Sequence, residues 1–273
     1  MTQSASPVQR LKVLVLGCFD PPPGRARIWL ALAYGVLTHV AFIAGVGAMM
    51  LAMFFGLSRS FGDLGWPWSG LANALLILQF PLLHSVLLSA GGRRVLNRMA
   101  PGPHGRTLAT TTYALIASLQ LFALFTLWTP SGILWWQAQG IVFVILCLAY
   151  GTAWLLLLKA ILDAGMELQV GALGWMSLLQ NIPVTFPDMP QTGLFRLIRQ
   201  PIYVAFALTL WTVPVWTPDQ LALSSSFTLY CLLAPRRKER RFRAIYGDRF
   251  RAYQTRVPYM IPLRRPEDDH EAQ

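Results

Sequence analysis

Charge is what this chain has least of. Of its 273 residues only 13% are Asp, Glu, Lys or Arg, against about 25% in an ordinary soluble domain. Acid is scarcest, with 12 Asp and Glu against 23 Lys and Arg, for a formal net charge of +11. Cysteine is nearly absent: Cys18, Cys147 and Cys231 lie far apart with no CxxC, so neither a disulfide framework nor a zinc site follows. Cys147 and Cys231 sit in apolar runs and read as small packing residues. A clear secretory signal is also missing, because Leu11–Cys18 is too short to span and Pro21-Pro22-Pro23 breaks any helix after it.

What fills the chain is apolar. Hydrophobic residues make up 55%, there are ten Trp, and the mean hydropathy is +0.47. That balance indicates lipid as the main solvent. A spanning helix needs roughly 20 mostly apolar residues to cross a hydrocarbon core about 30 Å thick. Six hydrophobic segments stand out: Trp29–Leu57, Leu71–Ala90, Leu108–Trp128, Ile133–Leu162, Ile202–Trp216 and Leu221–Ala234. The last two are short and joined by the turn signal Thr217-Pro218-Asp219, so they read as a helical hairpin. The expected fold is all-α: a polytopic transmembrane helical bundle of about six spans with a cytoplasmic C-terminal basic segment. It divides into an N-terminal cytoplasmic segment 1–28, one membrane-embedded domain 29–265 and a polar tail 266–273.

Orientation follows from the loops. Arg10, Lys12, Arg25 and Arg27 precede the first segment; Arg93, Arg94, Arg98 and Arg106 follow the second; the end of the fourth and the stretch after it hold Lys159, Arg196 and Arg199. The intervening loops are poor in bases, and Trp66, Trp68, Trp128, Trp135, Trp136, Trp211 and Trp216 cluster near them as an interfacial belt. The expectation is an integral protein of a bacterial inner membrane with both termini cytoplasmic. Between Pro235 and Arg265 eleven Lys and Arg face only Glu239 and Asp248, so +9 of the net +11 lies in one segment. Such a segment anchors on anionic headgroups at about 1 kcal/mol per base, which makes membrane lipids an expected partner. It follows a hydrophobic helix at a bilayer, which argues against nucleic acid. The long segment Asp163–Gln200 is too polar to span, yet Leu168, Leu173, Trp175 and Leu179 make it too apolar to be disordered. It is expected to pack on the membrane face.

Three motifs meet on the cytoplasmic side. Arg199-Gln200-Pro201-Ile202-Tyr203 leads into the hairpin; Lys238-Glu239 followed by Tyr246-Gly247-Asp248-Arg249-Phe250-Arg251-Ala252-Tyr253 leaves it; Arg256-Val257-Pro258 closes the array. A hairpin returns to the face it left, so it brings the first two together. This arrangement resembles the isoprenylcysteine carboxyl methyltransferase and phospholipid methyltransferase superfamily, whose signature is Arg-His-Pro-x-Tyr, a helical hairpin, Glu-Glu, an aromatic-Gly-Asp/Glu element and an Arg-Val-Pro ending. Within it the chain looks most like the methanethiol S-methyltransferases and the NnrU-like membrane proteins; His84-Ser85 and Trp128-Thr129-Pro130 are similar to that branch. The resemblance is strong over Gln191–Pro262 and weaker over Leu71–Pro130.

The resemblance implies an integral-membrane methyltransferase that uses S-adenosylmethionine and acts on a small thiol or lipophilic acceptor. It implies a cofactor site made by Arg199, Gln200, Pro201, Tyr203, Glu239, Tyr246 and Tyr253. Arg199 would pair the carboxylate as a planar fork, Glu239 would receive the ammonium or a ribose hydroxyl, and the tyrosines would stack on adenine or face the sulfonium. No residue is singled out as catalytic and no metal is implied. His84, ionisable at membrane depth, Glu167 and Arg256 are further polar positions for substrate. Three departures stand out: Gln200 replaces the motif His, Lys238 replaces the first Glu, and Gly165-Met166-Glu167-Leu168-Gln169-Val170-Gly171 stands where the thiol methyltransferases carry His-Phe-Asp-Leu-Phe-Gly. Gln can hydrogen-bond but cannot carry charge. Two alternatives therefore stay open. One is a non-catalytic membrane subunit or assembly factor with a membrane-protein partner. The other is a haem-binding NnrU-like protein using His84 and His39.

Overall fold

The computed structural model describes residues 6–262. The polar tail 266–273, with Arg264 and Arg265, lies outside them. The fold is all-α, with helices α1 (Pro7–Gly17), α2 (Arg25–Phe54), α3 (Trp68–Leu87), α4 (Ala90–Met99), α5 (Gly105–Thr126), α6 (Gly140–Asp163), α7 (Met166–Gln169), α8 (Ala172–Leu179), α9 (Pro201–Trp211), α10 (Pro218–Tyr246) and α11 (Asp248–Arg256). Among the described residues the strands are two short ones, β1 (Trp136–Gln137) and β2 (Val215–Trp216), paired antiparallel with Trp136 opposite Trp216.

Helices α2, α3, α5 and α6 are each long and apolar enough to cross a membrane. Their outward faces carry exposed Leu, Ile and Val, such as Leu75, Leu78, Leu82, Ile141, Ile145, Leu148 and Leu155. Only lipid makes that arrangement favourable, and the chain is an integral membrane protein. Inside, α2 and α5 approach closely because Gly45 has no side chain: a Cβ there would lie 2.6 Å from the Ser118 carbonyl oxygen. Small residues at such crossings let backbones pack where no hydrophobic force separates helix from lipid. Met53, Leu57, Leu124, Phe125, Leu210, Leu223 and Phe227 form the main apolar core.

The six expected segments all become helices, with three changes of boundary. Helix α6 starts at Gly140 rather than Ile133. Trp135 N donates to Trp216 O (3.0 Å) and Ala138 N to Pro214 O (2.9 Å), so this stretch satisfies its backbone across the bundle rather than along a helix. Helix α9 has only 11 residues, about 16 Å of rise and half a hydrocarbon core. Helix α10 has 29 residues and runs through Pro235 into the basic stretch, well beyond Ala234. Thr217-Pro218-Asp219 is its start: the Thr217 side chain caps Gln220 N, and Pro218 occupies the first turn.

The segment Asp163–Gln200 is packed, as its apolar residues require. It contains α7 and α8, and α8 docks between α2 and α5, with Leu178 and Leu179 against Ala31 and Leu108. Trp175 Nε1 donates to His39 Nε2 at 3.1 Å. At the base-poor end Asp219 accepts hydrogen bonds from Trp128 Nε1 (3.2 Å), Ser131 N (2.9 Å) and Ser131 Oγ (2.6 Å). At the other end α1 and the stretch after α11 both reach the connecting segments: Arg10 Nε meets Glu167 Oε1 at 3.2 Å, and Arg199 N donates to Pro258 O at 2.9 Å.

Candidate functional site

The site is built where α10 outruns its apolar part. The start of α9 is fixed by Gln200 at its N-cap and Pro201 in its first turn. Because α10 stays helical past Ala234, it carries Lys238, Glu239 and Phe242 alongside that start. Gly247, at φ +52°, then reverses the chain in a conformation that glycine adopts without steric cost. Helix α11 thereby folds back and buries Phe250 and Tyr253 beside Phe242.

Glu239 is the hub. It is 5% exposed. Its Oε1 accepts from Arg199 Nε and from Gln200 Nε2, both at 2.9 Å, and its Oε2 accepts from Gln254 Nε2 at 2.7 Å. Arg243 Nη2 stands 3.9 Å from Oε2. Arg199, also buried, donates through Nη1 to the carbonyls of Gln254 (2.9 Å) and Val257 (2.8 Å). Burying an ion pair is costly unless its remaining donors and acceptors are satisfied, and here Gln200, Gln254 and the Val257 carbonyl take up most of them. One carboxylate thus ties the start of α9, the middle of α10 and the end of α11 together.

Two of the three departures from the family pattern face each other. Lys238 Nζ lies 3.5 Å from Gln200 Oε1. Gln200 therefore donates to Glu239 with its amide nitrogen and offers its oxygen to Lys238, a double role that an amide can fill. Around Nζ lie the rings of Phe195 (5.5 Å), Tyr203 (5.8 Å) and Phe242 (5.5 Å, all to the centroid). Burial pushes the Lys238 ammonium down to about 8, with Glu239 opposing and Arg241 reinforcing the shift.

Arg199, Gln200, Pro201, Tyr203, Glu239 and Tyr253 come together as the motifs require. Tyr253 lines the narrow cleft, but its hydroxyl is committed: it donates to Phe195 O at 2.6 Å, and burial raises its phenol. Tyr246 lies at the rim, edge-on to Phe242 and beneath Arg249, which itself pairs with Asp188. Arg256 is exposed and bonds back to Ala252 O at 3.2 Å. Glu167 and His84 lie outside this network. Glu167 is fully buried beside Arg10. His84 stacks on Phe80 (5.0 Å) and leans on Tyr113 (4.9 Å) in the last turn of α3. His39 and His84 do not pair, and the Nε2 of His39 is taken by Trp175.

Several participants had no assigned role in the sequence. Gln254 reaches Glu239 only because of the reversal at Gly247. Phe195 and Phe242 become a cage only once α9 and α10 are aligned. A narrow cleft of about 10 Å³, room for about one water, runs between Phe195, Gln200, Lys238, Glu239 and Phe250. Beside it a wider groove of about 440 Å³ is lined by Arg199, Arg236, Glu239, Arg240, Arg243 and Tyr259. Arg199 lies 5.3 Å over the Tyr259 ring, and the Tyr259 hydroxyl oxygen is shielded from solvent with no partner among the described residues. That orphan hydroxyl beside a guanidinium is a donor pair suited to a carboxylate.

Comparison with known proteins gives names to the pattern. The chain is 28% identical over 209 residues to methanethiol S-methyltransferase from Pseudomonas deceptionensis, covering 73% of this chain and 76% of that one. It is 28% identical over 256 residues to methanethiol S-methyltransferase 2 from Bradyrhizobium diazoefficiens, covering 88% and 94%. Nurim from Xenopus laevis is 29% identical over 174 residues, 59% of this chain and 58% of Nurim. No family model matches the chain, and no solved structure matches it. The resemblance read from the motifs is borne out, and it extends well beyond the C-terminal array.

Proposed function

We propose that this protein is an integral-membrane methyltransferase that uses S-adenosylmethionine to methylate a small thiol, in a bacterial inner membrane with both termini cytoplasmic. The observation that carries the reading is the convergence of Arg199, Gln200 and Glu239 across the short hairpin, together with relatives named methanethiol S-methyltransferase along most of the chain. When bound, the cofactor supplies an already activated methyl group. The protein's work is then positioning and exclusion of water. The residues fit that cofactor. Arg199 and the orphan Tyr259 hydroxyl would hold its carboxylate. Glu239 Oε2 accepts one bond, from Gln254, among the described residues, and an ionised carboxylate oxygen has room for the ammonium beside it. Tyr203 lies at the membrane side of the array, where a lipophilic or volatile acceptor arrives from the bilayer.

Calorimetry of the purified protein with S-adenosylhomocysteine tests this. Wild type is expected to bind, and Arg199→Lys, which keeps the charge but loses the planar fork, to bind about tenfold more weakly. Absence of binding to a folded wild type overturns the reading. One observation favours a rival: Glu239 Oε1 is already taken by Arg199 and Gln200, as in a purely structural clasp. A non-catalytic subunit predicts stable co-purification with a membrane-protein partner and normal function in a Glu239→Gln strain.

A further inference from the structure

Lys238 is an ill-suited occupant of the place it fills. Three aromatic faces surround its Nζ at 5.5–5.8 Å: Phe195 from the turn before α9, Tyr203 from α9 and Phe242 from α10. Rings within about 6 Å attract a cation through their quadrupoles. An ammonium, however, also has three N–H donors to satisfy. Among the described residues Nζ has one acceptor, Gln200 Oε1, at 3.5 Å. Burial lowers the Lys238 pKa although Glu239 opposes the shift. A cage of rings with hardly any acceptors suits a cation without N–H groups, which is an onium ion. The cage also opens on the cleft beside Glu239 and Gln200, next to the groups that would take the amino-acid end of the cofactor.

We infer that the Phe195–Tyr203–Phe242 cage is a sulfonium site, and that the Lys238 ammonium occupies it in the free protein as an internal competitor. This rests on the methyltransferase reading and adds a consequence of its own. A sulfonium enters only when the lysine head leaves the cage, so Lys238 sets the choice between the charged methyl donor and its neutral thioether product. Wild type then disfavours S-adenosylmethionine relative to S-adenosylhomocysteine.

Two measurements test it. In the first, both ligands are titrated calorimetrically into wild type, Lys238→Met and Lys238→Arg. Removing the cation that competes for the rings implies that Lys238→Met shifts the affinity ratio toward S-adenosylmethionine by about tenfold, while Lys238→Arg leaves the ratio near wild type. Retained S-adenosylhomocysteine binding shows that each variant is folded. An equal ratio in wild type and Lys238→Met overturns the proposal. The second measurement needs no cofactor. Trimethylsulfonium iodide is expected to raise the melting temperature of Lys238→Ala and not of wild type, with sodium iodide as control. If neither adenosyl ligand binds but trimethylsulfonium protects Lys238→Ala, the cage stands and the methyltransferase reading falls. If trimethylsulfonium protects neither protein, the cage is overturned.

Discussion

Two buried carboxylates stand at the same end of this bundle, and the protein treats them differently. Glu239 is met from two elements, the start of α9 and α11, with bonds from Arg199, Gln200 and Gln254 on its two oxygens. Glu167, wholly buried, has Arg10 on Oε1 at 3.2 Å, and its Oε2 has no partner among the described residues. Arg10 is anchored in turn to Thr185 O at 2.7 Å. The first is a closed network in which each group fixes the others. The second is one bond that holds α1 against α7. A buried charge stabilises only through complete pairing, so the two acids are expected to differ in what their loss does.

The sharpest break of that comparison is Glu239→Ala. It strands the Arg199 guanidinium and two amides, and removing one partner of a buried pair costs about 3–5 kcal/mol. Chemical denaturation in detergent should show a loss of that size or no folded protein; a loss below about 1 kcal/mol would mean that the clasp is solvated and weak. Arg10→Ala comes next. It leaves Glu167 uncompensated but releases only one anchored helix, so about 1–3 kcal/mol is expected, with protease cleavage appearing first within Pro7–Gly17. If Arg10→Ala cost as much as Glu239→Ala, the contrast between network and tether would be gone.

The same contrast explains what could be read from the chain. Spans and connecting loops are written in composition, since an apolar run of fixed length has one way to satisfy its backbone in lipid. The Arg199 and Glu239 motifs were legible because a hairpin returns to the face it left. Three things were not. The length of α10 was hidden, because its basic half has no apolar period and Pro235 looks like a stop; yet a proline costs a helix one hydrogen bond, and the rest of the turn carries on. The role of Gln254 depends on the reversal at Gly247. Tyr253 was expected to face a ligand, but its hydroxyl is held by Phe195 O, a contact between positions far apart in sequence. Glu167 carries no local signal at all for its partner, which lies 157 residues earlier.

The smallest expected effect concerns Lys238, which joins the Glu239 network through Gln200. Burial lowers its pKa to about 8, so it is cationic below that pH and neutral above. The charged and titratable groups facing it are Glu239 and Arg241 on α10, Arg199 and Tyr203 across the cleft, and Tyr253 on α11. If the cage is a sulfonium site, raising the pH from about 7 to about 9 removes the competing charge. The affinity for S-adenosylmethionine relative to S-adenosylhomocysteine should then rise by about fivefold. The sulfonium lowers the α-ammonium pKa of S-adenosylmethionine below that of S-adenosylhomocysteine, so the ligands' own titrations are read from Lys238→Met, in which the lysine-dependent rise should be missing. A rise of equal size in that variant would assign the titration to the ligands or to another of the facing groups, and would separate the lysine from the choice of ligand.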